Sequence, residues 1–90
     1  MPSDEQKLKI KQMLVEQLQM RMEPDEIGDE LLLFGDEGLG LDSVDAIEVV
    51  AGIETEFGYA FEDEDLARKV LKNVQTLAEF LEGEGKLEPA

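Results

Sequence analysis

The chain has 90 residues and no cysteine, and its 23 acidic against 8 basic side chains give a net charge of −15. This length allows one small hydrophobic core, and the lack of cysteine excludes disulfides and thiolate metal sites. The charge argues against nucleic acid and anionic membranes as partners, because both bind proteins through clustered Lys and Arg. With no signal-peptide pattern and no apolar run long enough to span a bilayer, we expect a cytoplasmic protein.

The first segment, residues 3–20, is predicted to be a helix. Its apolar side chains recur at helical spacing, and Ser3 or Asp4 is a suitable N-cap. Residues 21–41 lose this period because Pro24 and several glycines interrupt it. We therefore expect a long first loop with one helical turn over residues 29–33, held on the core by Ile27, Leu31, Leu32 and Phe34.

A second helix is predicted over residues 43–57. Asp42 is a good N-cap, Asp45 completes a shortened capping box, and Gly58 is a natural end. Gly52 inside this helix costs about 1 kcal/mol relative to Ala unless another element packs closely against it. The expected inward face consists of Val44, Ile47, Val50, Ile53 and Phe57.

A short third helix is predicted over residues 62–68, and a last helix begins after Asn73 and ends at Gly83. No segment is predicted to be a strand. The expected fold is all-α, a small four-helix bundle with a long first loop and a short third helix. Residues 1–82 would form the domain, and residues 83–90 would form a polar tail with too little apolar surface to fold.

Ser43 opens the second helix in a chain that contains only one other serine. A nucleophilic serine needs a base, and the chain has no histidine and no lysine nearby in sequence. A nucleophile elbow would need glycines where Leu41 and Asp45 stand. Gly38 and Gly40 partly match a dinucleotide-binding loop, but no strand precedes them. Neither catalysis nor nucleotide binding is therefore predicted.

The acidic residues raise two further possibilities. Asp36, Glu37, Asp42, Asp45 and residues 62–65 offer carboxylates, but no window has the ligand spacing of a calcium loop. We predict no defined metal site, while low-affinity divalent binding stays open. The alternative is an acidic helical module that binds a basic partner without covalent modification.

The stretch GLGLDSVDAIEVV, residues 38–50, followed by AGIETEFGYAFEDEDL and NVQTLAEFLEG, resembles the acyl carrier proteins. The signature that opens helix II in that family stands here at residues 40–44, with Val44 where leucine is usual. The resemblance extends over about residues 8–81. It implies that Ser43 receives 4′-phosphopantetheine from coenzyme A through a separate transferase. The arm would supply the thiol, so the chain would be a carrier for fatty-acid or related acyl or polyketide synthesis and not an enzyme.

The resemblance also implies partners and their contacts. The transferase and acyl-processing enzymes would dock through basic patches onto helix II, and the chain would be a monomer. Reversing the charges of Asp45 and Glu48 is expected to slow arm transfer without unfolding. Ala51 and Gly52, where fatty-acid carriers tend to have a longer apolar residue, suggest a specialised member. The implied partner-binding residues are Asp42, Val44, Asp45, Glu48, Glu54 and Glu56, and the implied acyl-pocket residues are Val50, Ile53, Phe61, Leu66 and Val70.

Overall fold

The computed structural model describes residues 2–35 and 38–87, and this part of the chain forms four α-helices and no strand. The helices are α1 (Asp4–Leu18), α2 (Ser43–Phe57), α3 (Glu64–Val70) and α4 (Val74–Gly83), and a 3₁₀ turn lies at Pro24–Glu26. The predicted small all-α bundle is confirmed. None of the helices within the described ranges is long and apolar enough to cross a membrane.

Both long helices begin with a reciprocal capping box. The Ser3 hydroxyl accepts the Gln6 N–H at 3.1 Å, and the Gln6 side-chain oxygen accepts the Ser3 N–H at 2.8 Å. At α2, Asp42 accepts the N–H groups of Val44 and Asp45, and the Asp45 carboxylate accepts the Asp42 N–H. These bonds satisfy amide donors that the first helical turn leaves unpaired. The predicted start of each helix is thereby confirmed.

The helix ends follow ordinary stop chemistry. Gln19 closes α1 in the left-handed conformation at φ 51°, and Gly58 closes α2 at φ 72°. The third helix begins at Glu64, two residues later than predicted, because the Asp63 carboxylate caps it by accepting the Asp65 N–H. It ends at Val70. Asn73 is buried and caps α4 through a 2.7 Å bond from the Thr76 N–H, as expected.

A single core holds these helices together, with α1 as the element on which both α2 and α4 pack. Burial of these apolar side chains is the main stabilising contribution to so small a fold. After α4, the Lys86 N–H bonds back to the Leu81 carbonyl, and Leu87 lies partly buried against the core. The fully buried apolar side chains of the described residues are Ile10, Leu14, Ile27, Leu33, Val49, Ile53, Leu71, Val74, Leu77, Ala78 and Leu81.

The first loop is ordered differently from the prediction. Its one helical turn is the 3₁₀ turn at Pro24–Glu26 and not residues 29–33, since proline is well suited to a first helical position. Ile27 and Leu33 are its deepest anchors, both fully buried, while Leu31, Leu32 and Phe34 are only half-buried. The loop is therefore fixed to the core at two points.

Charged side chains clamp this loop to α1. The Asp29 carboxylate accepts a hydrogen bond from Lys11 Nζ at 2.6 Å and another from Lys7 Nζ at 2.8 Å. Lys7 Nζ also donates to the Gln75 side-chain oxygen at 3.2 Å. The Gln75 N–H donates to the Asp29 carbonyl at 2.8 Å. The hydrogen bonds from Lys11 and Lys7 lower the pKa of the Asp29 carboxyl from 3.8. This clamp joins α1, the loop and α4.

The predicted inward face of α2 is wrong at its N-terminal end. Val44 is 63% exposed and Ile47 is 70% exposed, whereas the buried residues are Val49, Gly52 and Ile53. The reason is geometric. Each three-residue step falls about 60° short of a full turn, so residues spaced by three drift around the helix. Positions 44, 47, 50 and 53 therefore cannot share one face.

Gly52 lies where α2 meets α1. A Cβ at this position would stand 2.8 Å from Met13 Sδ and 3.2 Å from Gln17 Cγ. This close packing is the compensation that a glycine within a helix requires. The small size of residue 52 therefore has a reason other than the shape of an acyl pocket, and the neighbouring Ala51 is exposed to solvent.

Candidate functional site

Ser43 is the first residue of α2, and it is exposed. Its side chain has no hydrogen bond to any residue in the described ranges. The capping of this helix end is done by Asp42, so the serine hydroxyl is not needed for it. Ser43 thus presents an accessible hydroxyl on a rigid helix terminus.

The turn that leads to Ser43 is built from glycines and backbone bonds. A Cβ on Gly38 would lie 1.8 Å from the Leu32 carbonyl oxygen, so only glycine fits there. Gly40 adopts φ 75°, a conformation that glycine takes without strain. The Leu39 N–H donates to Leu32 at 2.9 Å, and the Leu41 N–H donates to Leu33 at 3.2 Å. These contacts fix the approach of the chain to the serine.

The two capping acids have a structural role as well as a charge. Asp42 is exposed, whereas Asp45 is half-buried and accepts a 3.0 Å bond from the Asp42 N–H. Carboxylates at a helix N-terminus also interact favourably with the helix dipole. Charge reversal at Asp45 would also remove this capping bond, so it would lower stability as well as change the surface charge. Glu48 and Glu54 are exposed and make a cleaner pair for such a test.

An exposed apolar stripe runs along α2 from the serine. It consists of Val44, Ile47 and Ala51, which are all exposed and follow one face at helical spacing. Ile47 was not among the predicted site residues, because its spacing assigned it to the core. The sequence does offer a sign of its exposure. Val49 is also apolar, and it is Val49 that is buried in the core while Ile47 faces solvent. Exposed apolar side chains next to one another are a common feature of interaction surfaces.

The predicted acidic contacts divide between two sides of α2. Glu48 and Glu54 lie one and seven residues after Ile47, so they border the apolar stripe. Glu56 follows Ile47 by nine residues, which is about half a turn away, and lines a groove with Met13 and Lys86. Glu48 and Glu54 therefore lie on the side of α2 that carries the apolar stripe, and Glu56 lies on the other side.

The predicted acyl-pocket residues lie in or against the core. Ile53 and Val70 are buried, and Val50, Phe61 and Leu66 are half-buried and pack against the core. Phe61 belongs to an aromatic cluster, at 4.9 Å from the Tyr59 ring and 5.8 Å from the Phe80 ring. The helix α3 packs on α4 and makes few contacts with α2. The five residues therefore belong to the core or to its partly exposed edge.

Metal binding was tested by the placement of acidic side chains. Among residues 2–35 and 38–87, no group of three histidine, cysteine, aspartate or glutamate side chains is arranged to hold a metal ion. Asp36 and Glu37, which were weighed as calcium ligands, lie outside the described residues.

Comparison with known proteins points to one family. Residues 8–81 match the family described as phosphopantetheine attachment site. The chain is also 41% identical over 78 residues to a protein named acyl carrier protein from Bdellovibrio bacteriovorus. That match covers 87% of this chain and 92% of the relative.

Proposed function

The chain belongs to the phosphopantetheine-dependent acyl carrier proteins, and we propose that Ser43 is its attachment residue. As a member of this family it is a carrier and not a catalyst. The bound arm supplies a thiol that holds the acyl group as a thioester. We propose further that the cargo belongs to fatty-acid or related acyl or polyketide synthesis.

One observation carries the proposal for Ser43. Its hydroxyl is exposed at the first position of α2, makes no hydrogen bond within the described ranges, and lies between the two capping acids. The chain has no histidine or cysteine to activate a hydroxyl. The base must therefore come from the transferase, and this chain contributes an accessible oxygen on a fixed backbone.

The apolar stripe on α2 is proposed as the docking surface for the transferase and for acyl-processing enzymes. Val44 and Ile47 would be buried against the partner, while Glu48 and Glu54 would pair with its basic side chains. Apolar contacts at the centre of an interface contribute most of the affinity, and charges at its rim mainly raise the association rate. Asp42 and Asp45 would add to the acidic field while they cap the helix.

The seam between α2 and α3 is proposed as the place where the acyl chain shelters. Of the residues implied to line it, Val50, Phe61 and Leu66 are half-buried, and Ile53 and Val70 are buried. Space for a chain requires α3 to move away from α2, and the few contacts between these helices support such a motion. Residues 1–82 are proposed as the carrier domain. A monomeric state and a cytoplasmic location stay predictions.

The direct test is the intact mass of the protein after incubation with coenzyme A, magnesium and a broad-specificity phosphopantetheinyl transferase. We expect the wild type and Ser3→Ala to gain one arm and Ser43→Ala to gain none. Ser3 is the matched control because it is the other serine and caps α1. If the wild type gained no arm, the unmodified acidic interaction module would become the better account. Arm addition to Ser43→Ala would refute the assignment of the residue.

A further inference from the structure

A shallow groove on the side of α3 differs in charge from the rest of the molecule. Leu32 and Phe34 form its apolar floor, and Arg68, Lys69 and Lys72 surround it. We call these five residues the basic groove. It contains three of the eight basic side chains in the sequence, although the chain carries a net charge of −15. No ion pair joins these three bases to another residue within the described ranges.

Helix electrostatics explain this cluster only in part. Arg68 and Lys69 lie in the last turn of α3, where positive charge interacts favourably with the helix dipole. Lys72 lies beyond the helix and outside this effect. The dipole also gives no reason for Leu32 and Phe34 to remain half-exposed beneath the three cations. An apolar floor with a charged rim is the composition of a contact surface.

The basic groove adjoins the turn that presents Ser43. Phe34 pairs with Leu41 through an isolated parallel bridge, and Leu41 is two residues before the serine. The Leu33 N–H donates to the Lys72 carbonyl at 3.0 Å, which ties the floor of the groove to its rim. An enzyme that brings its own active site to the Ser43 hydroxyl must therefore cover the region beside the groove. An enzyme that acts on an acyl group at the end of the arm does not have to cover this region, because the flexible arm carries the acyl group away from Ser43.

We propose that the basic groove contacts carboxylates on the phosphopantetheinyl transferase. This inference rests on the proposed function and deepens it. The docking surface of the transferase would be bipolar, with basic side chains opposite Glu48 and Glu54 and acidic side chains opposite Arg68 and Lys72. Misaligned docking would place like charges together, which is unfavourable. The groove would thus fix the orientation in which the transferase reaches Ser43.

A protein partner fits the groove better than other anions do. Nucleic acids and anionic bilayers present extended negative charge, and the net charge of −15 on this molecule repels them. A protein surface can place a few carboxylates within a basic region. A few carboxylates surrounded by basic side chains would pair with the three cations of the groove and also with the acidic surface around them.

The experiment compares two double variants of the full chain. Arg68→Gln with Lys72→Gln removes one arginine and one lysine from the basic groove. Arg21→Gln with Lys86→Gln is the control, since it removes the same residue types from exposed positions elsewhere. The kcat/KM of arm transfer is measured with the phosphopantetheinyl transferase of the source organism, at low and at high salt. Melting temperatures are recorded for each variant.

We expect the groove variant to lose about threefold to tenfold in kcat/KM at low salt, with kcat unchanged. The control should stay within about twofold of the wild type. The loss should largely disappear at high salt, because salt screens exposed charges. Equal rates for the two variants, a faster groove variant, or a loss that persists at high salt with a lower melting temperature would overturn the proposal. If the wild type accepts no arm, the proposed function fails and not only this inference.

A lipid partner is tested in parallel with phosphatidylglycerol vesicles. The transferase account predicts that neither wild type nor variant sediments with them. Sedimentation of the wild type that depends on Arg68 and Lys72 would overturn the protein-partner proposal in favour of a membrane surface.

Discussion

The two longest helices of this bundle are built alike and differ in their outward faces. Each has 15 residues and begins with a capping box. On α1, Lys7 and Lys11 are nearly buried and pair with Asp29. On α2, Val44 and Ile47 are exposed, and Glu48 and Glu54 have no basic residue next to them in sequence. Two cations of α1 are thus paired within the fold, while Val44 and Ile47 of α2 face solvent.

The contrast between the two helices distinguishes side chains that stabilise the fold from side chains that do not. The clamp on α1 holds the first loop, and the inner face of α2 supplies Val49 and Ile53 to the core. The outer stripe of α2 adds nothing to the core. Exposed apolar side chains that lie next to one another, as Val44 and Ile47 do, are a common feature of interaction surfaces. The account therefore assigns stability to one face of α2 and recognition to the other.

The largest expected effect is a contrast between two isoleucines on the same helix. Ile53→Ala removes a fully buried side chain and should lower the free energy of unfolding by about 2–4 kcal/mol. Ile47→Ala removes an exposed one and should change it by less than about 0.5 kcal/mol. Urea unfolding of both variants measures the contrast. Similar losses for the two would mean that Ile47 is packed in solution, as the spacing of apolar residues first suggested.

A second variant tests the contact between the two helices. Gly52→Val adds a side chain where even a Cβ would stand 2.8 Å from Met13 Sδ. We expect a loss of about 1–3 kcal/mol, because the Met13 and Gln17 side chains must move away from the added valine. Thermal unfolding measures this loss. An unchanged or higher melting temperature would show that α1 does not pack closely on Gly52.

The clamp on α1 should have a smaller effect. Asp29→Asn removes two charge-assisted contacts at a carboxylate that is partly exposed, and we expect a loss of about 0.5–1 kcal/mol. The pKa of Asp29 is lower in the folded chain than its ordinary 3.8. Its contribution is therefore present above that value and is lost as pH falls through the folded-state pKa. Unfolding measured against pH should show the variant and the wild type converging in acid, and a constant gap would contradict this assignment.

The smallest expected effect comes from overall charge. With 23 acids against 8 bases, self-repulsion destabilises the compact state, and salt screens it. The melting temperature should rise by a few degrees between low and moderate ionic strength. Asp29→Asn should gain more from salt than the wild type, because salt also weakens the clamp that the variant lacks. No rise for either protein would show that self-repulsion does not limit stability.

The sequence was most informative where chemistry acts locally. The caps at Ser3, Asp42 and Asn73 and the stop at Gly58 follow from side-chain chemistry that a short stretch contains in full. The bounds of α2 were correct for this reason. The third helix is displaced by two residues from the prediction, because Asp63 and not a residue before Glu62 caps it.

The inner and outer faces of α2 could not be assigned from spacing alone. Val44, Ile47, Val49 and Ile53 are all apolar, and only the position of α1 decides which of them are buried. The same holds for the basic groove, because Leu32 and Phe34 meet Lys72 only through the path of the first loop. Such long-range contacts depend on tertiary packing, which overrides local preference.

The central claim is that the outer face of α2 serves recognition and not folding. The most direct test measures kcat/KM of arm transfer and melting temperature on the same preparations of Ile47→Ala and Leu8→Ala. Leu8 is the matched control, an exposed apolar residue on α1. We predict that Ile47→Ala loses about fivefold or more in kcat/KM at an unchanged melting temperature, while Leu8→Ala keeps the wild-type rate. Wild-type transfer by Ile47→Ala would contradict the claim.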